Sequence, residues 1–145
     1  MLTDSQGIVL AVHLSPGQQH DSKCFETLMN KVRLPNAIGR PLCRPRLLAG
    51  DKGYSFPRIR RWLRAHRIQA VVPQRSDQHR YQRGRPLNFN PAIYRQRNAV
   101  ERCIGRLKEF RRLSTRYDKL ADSYLAMMDL ARTRHYMKII LSNRT

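Results

Sequence analysis

Residues 46–72, RLLAGDKGYSFPRIRRWLRAHRIQAVV, decide the fold. Leu47-Leu48-Ala49 is a short apolar run that stops at Gly50-Asp51, which predicts a buried strand. Gly53 permits a tight turn, and Ser55 stands where a helix cap would sit. Ile59, Trp62 and Leu63 then recur at helical spacing, predicting a helix to about His66 with that face inward. Ile68 to Val72 is β-branched and apolar, a second buried strand. Strand, helix and strand in under thirty residues make a βαβ unit, so the fold class is α/β.

Upstream, residues 8–14 (IVLAVHL) read as another strand, preceded by a hairpin turn at Thr3-Asp4-Ser5-Gln6-Gly7. Only Met1 and Leu2 stand before that turn, so the sequence enters a sheet partway through a hairpin. A short helix follows, capped by Asp21 or Ser22, with Phe25, Leu28, Met29 and Val32 as its apolar face. Residues 33–46 hold three prolines and a glycine and read as a connection. Downstream, residues 74–90 are polar and basic, a long loop or insertion. Asn90-Pro91 matches a helix start, with a cap followed by proline at the first helical position. The pattern predicts one helix to about Arg112, with Ile93, Val100, Ile104 and Leu107 as its core stripe. Leu120, Tyr124, Met128, Ala131 and Ile139 predict a last helix.

The whole chain is 145 residues, about one domain's worth. Its 29 Lys and Arg against 10 Asp and Glu give a formal charge of +19. A hydrophobic content of 41% is too high for a disordered polycation, so a folded basic domain is expected. Such a charge requires an acidic partner, and nucleic-acid phosphate answers best. No apolar run reaches membrane-span length, and the N-terminus lacks a secretion signal, so a cytoplasmic, nucleoid-associated protein is expected, with no membrane partner. Three cysteines, Cys24, Cys43 and Cys103, form neither a disulfide framework nor a zinc spacing.

With so few acids, each carries weight. Asp4 sits in a turn and Asp77 in the basic loop. Glu26 and Glu109 read as exposed helical positions, and Asp118, Asp122 and Asp129 as caps or surface charges. Asp51 stands at the carboxyl end of a strand, where ligand and metal sites of open α/β sheets collect. It reads either as a ligand or as a turn aspartate bonded to its own backbone. Glu101 lies on a basic flank, with Arg97, Lys108 and Arg112 within about 40° of it on a helical wheel. It reads either as a metal-holding carboxylate beside phosphate-binding arginines or as half of an i,i+4 ion pair with Arg97. Residues 75–112 contain eleven Lys or Arg against three acids, the densest basic surface. Arg80, Arg83 and Arg85 surround Tyr81, whose ring is suited to stack on a base.

Four segments carry a resemblance. They are LAVHLSPGQQHDSKCFETLM (10–29), LLAGDKGYSFPRIRRWLRAHRIQAVVPQR (47–75), RGRP (83–86) and FNPAIYRQRNAVERCIGRLKEFRRLSTRYDKLADSYLAMMDLA (89–131). In these the chain resembles the C-terminal part of bacterial insertion-sequence transposases of the DDE class, which have a ribonuclease-H-like catalytic core. The resemblance implies a mixed sheet flanked by helices, lacking its first strand or strands, as one partial catalytic domain over residues 1–145. Of the family's Asp-Asp-Glu metal triad, the second Asp falls on Asp51 and the Glu on Glu101. The first Asp belongs to an upstream strand and has no counterpart, since neither Asp4 nor Asp21 matches it.

By the same resemblance, Tyr94, Arg97 and Asn98 position DNA phosphates and the catalytic helix. Arg102, Lys108, Arg112, Arg80, Arg83 and Arg85 extend the DNA-binding surface. The cofactor implied for the complete enzyme is Mg²⁺ or Mn²⁺. The partners are DNA and, as an oligomer, a second copy or a full-length transposase. The implied function is metal-dependent cleavage and strand transfer at insertion-sequence ends. With one of three carboxylates missing, this chain alone is expected to be inactive. The other readings are a non-catalytic DNA-binding remnant that regulates transposition and, more remotely, an RNA-binding protein of unrelated fold.

Overall fold

The computed structural model describes residues 1–80 and 89–142, with the side chains of 79 and 80 left out. The hairpin opens the chain, with β1 (Leu2–Thr3) antiparallel to β2 (Val9–Ala11). Its turn is built by Asp4, whose Oδ1 accepts from the Gln6 and Ile8 amides at 2.9 and 2.8 Å. Gly7 adopts φ +87°, and a Cβ there would stand 3.1 Å from the Ala99 carbonyl oxygen. A glycine is therefore required on two counts, handedness and close approach to a later helix.

A 3₁₀ turn at Asp21–Cys24 leads into α1 (Phe25–Asn30). The cap is neither Asp21 nor Ser22 but His20, whose Nδ1 accepts from the Ser22 amide. The expected apolar face holds, since Phe25, Leu28, Met29 and Val32 are all buried.

The βαβ unit forms as read. β3 (Leu47–Ala49) lies parallel to β4 (Gln69–Val71), and α2 (Pro57–Ala65) connects them. Ile59 and Leu63 are fully buried and pack with Phe25, Met29, Leu48 and Ile68. Trp62 is half-buried, edge-on to Phe25 at 5.4 Å and stacked on His66 at 3.8 Å. Phe56, not Ser55, occupies the N-cap position, and Pro57 begins the helix. Ser55 is instead buried, 1% exposed, with its hydroxyl engaged elsewhere.

The single helix expected from Asn90 to Arg112 is three: α4 (Pro91–Arg95), α5 (Asn98–Lys108) and α6 (Arg111–Ser114). Asn90 does cap the first, accepting from the Ala92 and Ile93 amides. The break after Arg95 resets the helical phase, so the buried stripe of α5 is Ala99, Cys103 and Leu107. Ile104, expected in the core, is 39% exposed. Leu107 is the one member of the expected stripe that is buried. α3 (Ser76–Arg80) opens the basic segment, and α7 (Ala121–Ser142) closes the described chain. Ala131 of α7 is buried with Val9, Cys103, Leu107 and Leu113, and the Tyr136 hydroxyl donates to the Val9 carbonyl.

The α/β class therefore stands. In place of one mixed sheet, the described residues form two separate two-stranded sheets. Each strand pairs on one side only, because no described strand lies between the hairpin and the parallel pair.

Candidate metal and nucleic-acid site

The carboxyl ends of β3 and β4 lie side by side because the strands are parallel. Asp51 follows β3 at that edge and is exposed. Its Oδ1 accepts from the Gly53 amide at 2.8 Å, capping a 3₁₀ turn at Lys52–Tyr54. A Cβ on Gly53 would meet that same oxygen at 2.9 Å, so a larger residue there would make the Asp51 carboxylate shift from its place over the turn. Here the turn-aspartate reading is realised, and Oδ2 is left for another partner.

Tyr54 closes the turn. Burial pushes its phenol up to about 12, and the nearby negative charges of Asp21 and Asp51, with Cys24, push in the same direction. The Asp21–Cys24 and Lys52–Tyr54 turns pack together, which brings two carboxylates to one phenol. Sequence reading did not pair them, because thirty residues separate them and no local period links two 3₁₀ turns.

Glu101 sits on the exposed side of α5, opposite the Ala99, Cys103 and Leu107 stripe. Its Oε1 accepts from Arg97 Nη2 at 2.6 Å, an i,i+4 ion pair with side-chain exposures of 30% and 59%. Exposed pairs of this kind contribute about 0.3–0.5 kcal/mol. The Arg97 guanidinium also lies 5.5 Å from the Tyr94 ring centroid, and Phe89 packs against Tyr94 at 5.3 Å. Tyr94, Arg97 and Glu101 are thus brought together at the head of α5. Asn98, Arg102 and Lys108 are exposed along that helix.

Arg112 does not join this cluster. The turn at residues 109–110 breaks the helical phase, and Arg112 Nη2 donates to Asp118 Oδ1 at 2.6 Å. Its guanidinium lies over Tyr117 at 5.4 Å. Asp118 is not a surface charge, since its side chain is 6% exposed and Oδ2 is buried without a partner among the described residues. Arg83, Arg85 and Tyr81 lie outside the described residues, as does the side chain of Arg80.

A further basic cluster was not singled out by sequence reading. Arg106 Nη1 donates to His135 Nε2 at 3.0 Å, and with Lys138 and Arg134 they line a cleft of about 520 Å³ between α5 and α7. Burial lowers the His135 pKa, and Arg106 and Lys138 lower it further against the opposing pull of Glu109. The signal available in the sequence was weak, because a 29-residue separation between Arg106 and His135 carries no spacing rule.

Asp51 and Glu101 offer hard oxygen donors, which suit Mg²⁺ or Mn²⁺ in kind. They do not suffice in number. Among the described residues no group of three or more His, Cys, Asp or Glu side chains converges on one point. No hydrogen bond or ion pair joins the two carboxylates among those residues.

Residues 1–133 match the family described as Transposase DDE domain. The chain belongs to that family. It is also similar to a Burkholderia cepacia protein provisionally named transposase for insertion sequence element IS402, with 31% identity over 131 residues. That alignment covers 90% of this chain and 57% of the relative's length. No solved structure matches the chain significantly. No helix among the described residues is long and apolar enough to cross a membrane.

Proposed function

We propose that this chain is part of a ribonuclease-H-like transposase core that acts in DNA transposition, binding DNA through its arginine-rich surface. The observation that carries the reading is Asp51, exposed at the carboxyl edge of a parallel strand pair, in a chain matched by the DDE family over residues 1–133. Arg97, Tyr94, Asn98, Arg102 and Lys108 supply phosphate and sugar contacts along α5. These position the duplex without reading its sequence.

In the complete enzyme, Asp51 and Glu101 would contribute two carboxylates to a divalent-cation site, which needs at least one further ligand beside them. Such cations, if bound, would supply Lewis-acid activation of a water or 3′-hydroxyl and charge stabilisation of the leaving oxygen. Arg97 would hold Glu101 oriented at the head of α5, and the Gly53 amide would hold Oδ1 of Asp51 over the turn that follows β3.

One observation favours the non-catalytic reading for the chain alone: among the described residues no group of three or more His, Cys, Asp or Glu side chains converges to hold a cation. We therefore expect the isolated chain to bind DNA without cleaving it. Titration of end-bearing duplex DNA, with and without Mg²⁺, tests both statements. Affinity should fall about 10³-fold or more between 50 and 200 mM salt if six or more phosphates are contacted. Mg²⁺-dependent cleavage lost in Asp51→Asn would replace the binding reading with a catalytic one. Binding indifferent to salt would overturn both.

A further inference from the structure

Ser55 and Gln78 form a two-point contact that the transposase reading does not use. The Ser55 hydroxyl donates to Gln78 Oε1, and Gln78 Nε2 donates back to the Ser55 carbonyl at 2.9 Å. A primary amide is the side-chain group that presents a donor and an acceptor side by side, as this pairing requires. Ser55 is 1% exposed, so the bonds form away from competing water.

The Ser55 hydroxyl also accepts from Arg60 Nη2 at 3.1 Å, and the same nitrogen donates to the Val72 carbonyl at 2.8 Å. Gln78 Oε1 additionally accepts from the Arg75 amide at 3.4 Å. Four parts of the chain meet here: the end of the turn that begins at Asp51, helix α2, the exit of β4, and helix α3 at the start of the basic segment. Arg75 packs on Phe56 at 5.9 Å, next to Ser55, and pairs with Asp77 at 3.4 Å.

We infer that Gln78 is a positioning residue, which locks the first helix of the basic segment onto the turn carrying Asp51 so that both meet DNA as one surface. The inference rests on the DNA-binding reading above. Gln78 carries no charge, so replacing it alters neither the net charge nor any phosphate partner. A change in the salt dependence of binding then reports only the displacement of nearby cations.

The experiment compares wild type with Gln78→Met, which keeps side-chain length and removes the two hydrogen bonds to Ser55 and the one from the Arg75 amide, and with Ser55→Ala, which removes only the hydroxyl. Three quantities are read on the full chain: thermal midpoint, rate of tryptic cleavage after Arg75 and Arg80, and affinity for duplex DNA across a salt series. For Gln78→Met the midpoint should move by a few degrees and cleavage should accelerate about tenfold, as local opening becomes cheaper. DNA binding near 0.1 M salt should weaken about three- to tenfold, and the log–log salt slope should become shallower by about one. Ser55→Ala should change all three in the same direction by less, and it decides the matter if Gln78→Met fails to fold. Unchanged cleavage would show that Gln78 does not hold α3. Faster cleavage with an unchanged salt slope would make the contact structural only. Wild type that fails to bind DNA would overturn the function proposed above, whatever the proteolysis shows.

Discussion

Arg112 shows how one contact reassigns a residue. On a continuous helix it would share the flank of Glu101. In the folded chain it faces Asp118, a carboxylate that is 6% exposed and has one oxygen without a partner among the described residues. Removing the guanidinium would leave that carboxylate without its one hydrogen-bonded ion partner. Arg112→Ala should therefore destabilise the fold by about 1–2 kcal/mol, the cost of stranding a buried acceptor, lessened because the arginine itself is half-exposed. Urea unfolding checks the magnitude. Its effect on DNA affinity should be smaller than that of Arg102→Ala, since Arg102 is exposed and has no acid paired to it among the described residues. The reverse order would return Arg112 to the DNA-binding surface. The strand-end position of Asp51 and the i,i+4 spacing of Glu101 with Arg97 were legible in the sequence at this scale, because both are local properties. The engagement of these two carboxylates by Gly53 and Arg97 was legible too, as the alternative reading of each. The shared electrostatic influence of Asp21 and Asp51 on Tyr54 was not, because it depends on two 3₁₀ turns packing across the fold.

Elements were read best where their signals were local and redundant. The βαβ unit had apolar runs, a helical period and turn residues in agreement, and all three parts formed. The Asn90-Pro91 start held for the same reason. The helix beyond it was misread in phase, because nothing in the apolar pattern marks the break at residues 96–97. A break there turns the face of every later position relative to a continuous helix, which exposes Ile104 and buries Cys103. At its far end α2 stops in a backbone device with a testable cost. Arg67 has φ +57°, the Arg67 amide bonds to Arg64 O at 3.0 Å, and the Ile68 amide reaches Leu63 O at 2.9 Å. This is a helix stop of the kind that glycine serves best. Arg67→Gly should stabilise the chain by about 0.5–1 kcal/mol by relieving left-handed strain. A lowered urea midpoint would mean that the Arg67 side chain contributes more than its backbone costs.

The whole molecule is governed by charge. At +19 its cations repel one another in the folded state, and the five ion pairs formed among the described residues neutralise few of them. Salt should therefore stabilise the free protein while weakening the DNA binding proposed above. Raising NaCl from about 0.05 to about 0.5 M should raise the thermal midpoint, because the Debye length falls from more than 10 Å to less than 5 Å. A midpoint that falls with salt would show that ion pairs outweigh repulsion.

The sequence by itself determined the basic character, the α/β class, the βαβ unit and the two candidate carboxylates, because composition, period and turn chemistry are written within a few residues of one another. The tertiary structure alone decided which helical face is buried, that Arg112 serves Asp118, that Ser55 meets Gln78, and that the strands form two pairs. Each of these depends on segments far apart in the chain being brought into contact, where the choice of partner is set by burial and hydrogen-bond geometry.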